Sequence, residues 1–215
     1  MSHVICIAGE SGTGKTTSMR KLDPKTTLYI DWGEKGLSWK GWKSQFNGES
    51  KNYLVTDFPQ VALQALRKVN EQKNMSHIKV VVVDTINGLM VADEMRRSKE
   101  KGYDKWQDLA QSIYELIDYS LTMRDDVTVV FVAHTQTDHD ENGYMFTRIK
   151  TSGRKLDKIT LESKFSTVLL SKCVDGRYVF ETQANLSTAK SPMGAFEDKE
   201  IDNDITAVIE ALKEY

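Results

Sequence analysis

The segment GESGTGKT at residues 9 to 16 holds the residues of this chain best suited to chemistry. It matches the pattern G-x-x-x-x-G-K-[ST] in full, after the β-branched run VICIA at 4 to 8 and before TTSMRKL, which reads as a helix. Gly9, Gly12 and Gly14 let successive backbone N–H groups turn inward around phosphate oxygens, and a helix behind them would add its positive end. Glu10, Ser11, Thr13 and Thr17 complete the expected cradle. Lys15 is placed to bridge the β and γ phosphates. Thr16 offers a hydroxyl to Mg2+, which takes oxygen ligands in near-octahedral geometry and reaches the protein through few groups. A plain glycine turn before a helix would explain the glycines but not the complete pattern in this context.

Three further positions would serve a bound triphosphate. Asp84 ends the run VVVV at 80 to 83, where a carboxylate can hold a Mg2+-bound water at the carboxyl edge of a sheet. It could also cap the helix that begins near Ile86, and its neighbour Thr85 could orient it. His134 takes the corresponding strand-end position after VTVVFVA, within reach of the γ-phosphate or an attacking water. A lone histidine is equally suited to a structural hydrogen bond. Hydrolysis also needs a group to position water. Glu34, three residues past the strand TLYID, is the first candidate and Asp31 the second, although the Gly-Glu-Lys-Gly context also suits a solvated turn.

These residues need a scaffold, and the patterning supplies an α/β one. Strands are expected at 4–8, 27–31, 79–84 and 127–133. Helices are expected at 58–74 (with Asp57 as N-cap and Phe58, Ala62, Ala65, Leu66 and Val69 on one face), 86–100 and 104–123. Residues 135 to 163 weaken into a polar loop with a short hairpin around 141–143. FSTVLLSK and RYVFETQ flank a VDG turn, and a final helix starts at a capping Asn203 or Asp204. The expected fold is α/β, a mainly parallel sheet with antiparallel C-terminal hairpin strands, in one domain over residues 1–215.

Composition sets the outer bounds. The 215 residues carry 29 Lys+Arg against 31 Asp+Glu, a formal charge of −2, so any contact with nucleic acid must be a local patch. Cys6 and Cys173 sit in apolar runs and read as buried thiols of a reducing compartment. No apolar run approaches the ~20 residues that span a bilayer. A cytoplasmic protein without a membrane partner is expected.

With GESGTGKT, LYID, VVVVDT and FVAHTQ in order, the chain resembles the RecA-like branch of P-loop ATPases. It looks more closely like phage-encoded AAA-domain ATP-binding proteins related to minimal RecA-core recombinases that assist single-strand annealing. That likeness rests on KGLSWKGWK at 35–43, MRRSKEKGYDKW at 95–106, GRKLDKITLE at 153–162, VDGRYVFETQ at 174–183 and TAKSPMGAFE at 188–197. The resemblance implies ATP and Mg2+ as cofactors, slow or partner-stimulated hydrolysis, and a role in phage DNA recombination or replication on single-stranded DNA. It also implies a homo-oligomer, with a single-strand-binding protein as a further partner. Lys190 is the position that best matches a basic residue completing the neighbouring subunit's site.

For the DNA contact, residues 144 to 158 place Arg148, Lys150, Arg154, Lys155 and Lys158 against Asp157, with Tyr144 and Phe146 interleaved. Phosphate neutralisation with aromatic stacking is the chemistry of sequence-tolerant single-strand binding. A solvated hairpin with alternating faces would look the same. Trp39 and Trp42 either pack on the core or stack on a base. Arg96 and Arg97 suit a subunit contact, a phosphate contact or an exposed helix face. Two other functions use a phosphate loop: a small-substrate phosphotransferase resembling a nucleotide kinase, and a nucleotide-gated adaptor that does not hydrolyse.

Overall fold

Alternate residues of the central strands are apolar on both sides, so each face of the sheet must be covered by its own layer. The computed structural model describes residues 2–33, 35–101, 104–139, 142–151 and 160–215. Its strands are β1 (His3–Gly9), β2 (Thr27–Asp31), β3 (Tyr53–Val55), β4 (Val80–Asp84), β5 (Thr128–His139), β6 (Met145–Ile149), β7 (Thr167–Val174), β8 (Arg177–Glu181) and β9 (Glu200–Asp202). Its α-helices, among the described residues, are α1 (Trp42–Gln45), α2 (Pro59–Glu71), α3 (Ile86–Arg96), α4 (Asp104–Leu121) and α5 (Ile205–Ala211).

The nine-stranded sheet runs β3-β2-β4-β5-β1-β7-β8-β9, with β6 paired to the far half of β5. Pairings from β3 to β7 are parallel, and β7-β8-β9 is antiparallel. The fold is the expected P-loop NTPase with a RecA-like core. In this order β5 separates the phosphate-loop strand β1 from β4, which carries Asp84.

Strand parity divides the core. Val4, Cys6, Ala8, Val81, Val83, Val129 and Phe131 face Ala62, Leu66, Val69, Leu89, Ile113 and Leu116 of α2, α3 and α4. Ile5, Ile7, Val80, Val82, Val130 and Val132 face Met19, Leu37, Phe46 and, from α5 and the turn that ends it, Ile205, Val208 and Leu212. Each such Val, Leu, Ile, Phe or Met side chain taken fully out of water contributes about 1.5–3 kcal/mol. Trp39 and Trp42 pack on the second face, beside Phe46 and Tyr53 respectively, so these rings serve the core.

Several expectations are corrected. Asp57 does not cap α2; Pro59 occupies its first turn, where the missing N–H removes one group that a cap would satisfy, and Asp57 pairs with Arg96 instead. Phe58 is 46% exposed, lying under the Arg96 guanidinium at 3.8 Å rather than in the core. Arg97 pairs with Glu100 and Asp108, so neither arginine is left as a free basic site. Cys6 is buried, and burial pushes its thiol well up, but Cys173 is exposed near the end of β7. Asp204, not Asn203, caps α5, accepting from Thr206 N at 3.0 Å. The expected short hairpin around 141–143 is present, but its arms are longer than a polar loop suggests, because β5 continues through His134 to His139 and pairs with β6. The short strands β3 and β9 have too few residues to show a period.

Gly88, in the first turn of α3, lets that helix close on Trp32: a Cβ there would lie 2.2 Å from the indole. Gly88→Ala is expected to destabilise the fold by about 1–3 kcal/mol through overpacking, read as a lower urea midpoint with an unchanged denaturant slope.

Candidate active site

Parallel register brings the chemistry to one edge. Asp31 is opposite Asp84, Asp84 opposite Val132, and Gly9 opposite His134. Since side chains alternate with period two, Tyr29, Asp31, Asp84 and His134 emerge on the same side of the sheet, over the phosphate loop.

The loop is held from within. Gly12 and Gly14 have φ of 82° and 92°, which side-chain-bearing residues rarely adopt, and a Cβ on Gly14 would meet the Tyr178 ring at 2.6 Å. Thr13 Oγ1 donates to the Glu10 carbonyl at 2.8 Å, and Ser171 Oγ donates to the Thr13 carbonyl at 2.7 Å. The expected helix is reduced to a single 3-10 turn, Thr17–Met19. Asp23-Pro24 follows closely and turns the chain away from helical geometry, and Ser18 Oγ donates to the Lys15 carbonyl at 2.6 Å. The amides of the loop, not a helix dipole, therefore form the anion cradle.

A cavity of about 210 Å3 is lined by Ser11, Gly12, Gly14, Lys15, Thr16, Thr17, Asp84, Thr85 and His134, with the exposed Lys35, Ser38 and Tyr178 at its rim. Gly9 and Thr13 support it from behind: a Cβ on Gly9 would lie 2.7 Å from both the Ser171 carbonyl and Thr13 Oγ1. Lys15 is buried, and its ammonium donates to the Glu10 carbonyl at 2.6 Å. Burial lowers its pKa from 10.5 to about 8, with Asp84 opposing that shift and Lys35 adding to it.

Asp84 is the centre of the site. Its Oδ2 accepts from Thr16 Oγ1 and from Tyr29 OH, each at 2.7 Å, and its Oδ1 faces Lys35 Nζ at 3.2 Å. Capping of α3 falls to Thr85, whose hydroxyl accepts from Gly88 N at 3.1 Å, so Thr85 does not orient Asp84 and Asp84 is left to the cavity. The imidazole of His134 is half-buried, and burial, then Lys15 and Lys35, lowers its pKa below 6.5. That favours the uncharged imidazole. Its backbone N–H donates to Asn87 Oδ1 at 2.6 Å.

The remaining candidates are placed differently. Asp31 is fully buried; its Oδ2 accepts from Tyr53 OH and from Gly36 N at 3.3 Å, while its Oδ1 has no hydrogen-bond partner among the described residues. Burial, and to a lesser extent Asp84, raise its pKa. It anchors the loop after β2 and does not line the cavity. Glu34 lies outside the described residues. Lys190 pairs through its backbone with Val168, level with Cys6 in the middle of β1, and is absent from the cavity lining. Arg148 is ion-paired to Asp138, which also accepts from Gln136, so its charge is already neutralised within the hairpin. Lys150 is exposed at the base of the same hairpin, while Arg154, Lys155 and Lys158 lie outside the described residues.

Sequence reading did not assign Tyr29, Lys35, Asn87 or Tyr178 to this cavity, and took Lys35 instead as a candidate nucleic-acid contact beside Trp39 and Trp42. Tyr29 had a usable signal, since it stands two residues before Asp31 in TLYID and must share its face. The other three are brought in by loop path and strand pairing. Thr16 and Asp84 fit a hard divalent ion: one neutral and one anionic oxygen donor sit 2.7 Å apart beside a phosphate cradle. No group of three or more His, Cys, Asp and Glu converges among the described residues, so such an ion would be completed by phosphates and water, the habit of Mg2+.

A family model described as "AAA domain" matches residues 1–193. No curated protein matches the chain. No helix among the described residues is long and apolar enough to cross a membrane.

Lys15→Ala is expected to abolish nucleotide binding in titration calorimetry while leaving the circular dichroism spectrum intact. Above pH 8 nucleotide affinity should fall by up to about tenfold per pH unit as Lys15 loses its proton. Folding stability should move the other way. Between about 8 and 10.5 the unfolded chain holds more protons on Lys15 than the folded chain does, so this group's contribution to stability rises with pH in that window.

Proposed function

The chain belongs to the AAA-domain family of P-loop ATPases, and we propose that it binds ATP with Mg2+ and hydrolyses it slowly while acting on single-stranded DNA in phage recombination or replication. One observation carries the nucleotide chemistry: the Thr16 hydroxyl rests 2.7 Å from the buried Asp84 carboxylate beside the Lys15 ammonium. In this reading Lys15 holds the β and γ phosphates, and Thr16 with a water on Asp84 holds the metal. When bound, the metal would supply neutralisation of the charge that develops on the phosphate oxygens. Neutral His134 can accept a hydrogen bond from the attacking water or donate one to the γ-phosphate. Glu34 is the group assigned to position that water.

The DNA assignment draws on the β5–β6 hairpin. His134 begins its projecting part, and the His134 carbonyl accepts from Lys150 N at 2.8 Å. Asn87 binds both, taking His134 N and donating to the Lys150 carbonyl at 2.6 Å. A shift of His134 toward a phosphate is therefore passed to the base of the hairpin. Tyr144 is exposed near the tip, where a base could stack. The distance of Lys190 from its own subunit's cavity agrees with service to a neighbouring subunit in a homo-oligomer.

A specific feature favours the second reading, a small-substrate phosphotransferase. A pocket of about 380 Å3 shares Ser11, Thr85 and His134 with the first and adds Trp32, Val91 and Lys150, the place an acceptor would need.

ATP turnover is expected to rise at least several-fold with single-stranded DNA, and DNA binding with ATP should weaken steeply between 50 and 200 mM salt. Turnover indifferent to DNA but stimulated by one nucleoside monophosphate would replace this reading with the second.

A further inference from the structure

The two oxygens of Asp84 are not equivalent. Oδ2 takes two neutral hydroxyls, from Thr16 and Tyr29, whereas Oδ1 takes the ammonium of Lys35. The Asp84 side chain is 0% exposed, and among the described residues Lys35 is the only cation paired with it. A carboxylate so enclosed requires a counter-charge.

Lys35 is a poor candidate for a permanent one. Its side chain is 42% exposed, carried on a four-carbon stem with several rotatable bonds. Its 3.2 Å contact is longer than a well-formed charge-assisted hydrogen bond. The residue belongs to the loop that leaves β2, pinned at Gly36 by Asp31 and by the Trp42 ring, so the backbone is held while the side chain overhangs the cavity. Its charge is felt by Lys15 and His134, the two groups placed to meet a terminal phosphate. An ammonium that reaches Asp84 from the rim of this cavity has a second anion to choose once a nucleotide is bound.

We propose that Lys35 is an exchangeable counter-ion: it pairs with Asp84 when no divalent metal lies there, and moves to the terminal phosphate of ATP when nucleotide and metal occupy the cavity. This rests on reading the cavity as an ATP site. The exchange is reciprocal in charge. Metal at Asp84 repels the ammonium and removes the need for it, and the γ-phosphate, which ADP lacks, receives it. Lys35 thereby joins the loop residues as a phosphate-contacting group and gives the site a preference for the triphosphate.

The test compares the wild-type chain with Lys35→Met, Lys35→Gln and Lys35→Arg, each checked for native circular dichroism. In nucleotide-free buffer, Mn2+ titrations followed by electron paramagnetic resonance should show about tenfold tighter metal binding in the Met and Gln variants, because the competing ammonium is gone. With Mg2+ present, calorimetry should show ATP binding about tenfold weaker in these variants, ADP binding nearly unchanged, and Lys35→Arg close to wild type. An unchanged ATP-to-ADP ratio in both uncharged variants overturns the phosphate contact, and unchanged Mn2+ affinity overturns the pairing with Asp84. Wild-type protein that binds neither nucleotide would defeat the ATP-site reading itself and this inference with it. Wild-type binding with indifferent Lys35 variants would defeat this inference alone.

Discussion

A carboxylate sealed from solvent at the end of four consecutive valines is the constraint around which the rest of this structure is arranged. Asp84 is tolerated there because two hydroxyls and one ammonium reach it from three other segments of the chain. Each of those segments has to be correctly placed for the charge to be compensated. Thr16 needs the phosphate loop folded, Tyr29 needs β2 in register with β4, and Lys35 needs the loop after β2 anchored. The Asp31 carboxylate anchors that loop, and it sits opposite Asp84 in the same register. Burial and the neighbouring Asp84 charge raise the pKa of Asp31, and the two acids are divided between the loop and the cavity.

The sheet order has a direct chemical consequence. With β5 between β1 and β4, the loop and Asp84 are separated by one strand, and the side chain that emerges between them is His134. A neutral imidazole in that gap touches the same cavity as the ammonium of Lys15 without adding to its positive charge. Because β5 does not stop there but runs on as a hairpin arm, the phosphate end of the cavity and the projecting arm are one continuous strand. Asn87 ties the two together, its side chain accepting from His134 N and donating to the Lys150 carbonyl.

Much of the fold was legible because burial leaves a period. The unbroken runs at 4–8, 79–84 and 127–133 announced strands covered on both faces, and the spacing of Ala62, Ala65, Leu66 and Val69 announced the buried face of α2. What failed was local detail that a period does not encode. Asp57 had the chemistry of a cap but lost the role to a proline, and the helix after the phosphate loop was cut to one turn by the Asp23-Pro24 pair. Arg148 counted as free positive charge in a linear tally, yet the hairpin places Asp138 against it.

Amino-acid order alone determined that a triphosphate cradle follows the first strand and that an acid ends the valine run, since both depend on residues within a few positions of one another. Only the tertiary structure decided which groups share that acid, which charges are already spent in ion pairs, and that Lys190 stands apart from its own cavity. The physical reason is range. Backbone conformation and burial are written in neighbouring residues, whereas the pairing of charges depends on strand register and loop path, which bring together positions tens of residues apart and leave no repeating trace along the chain.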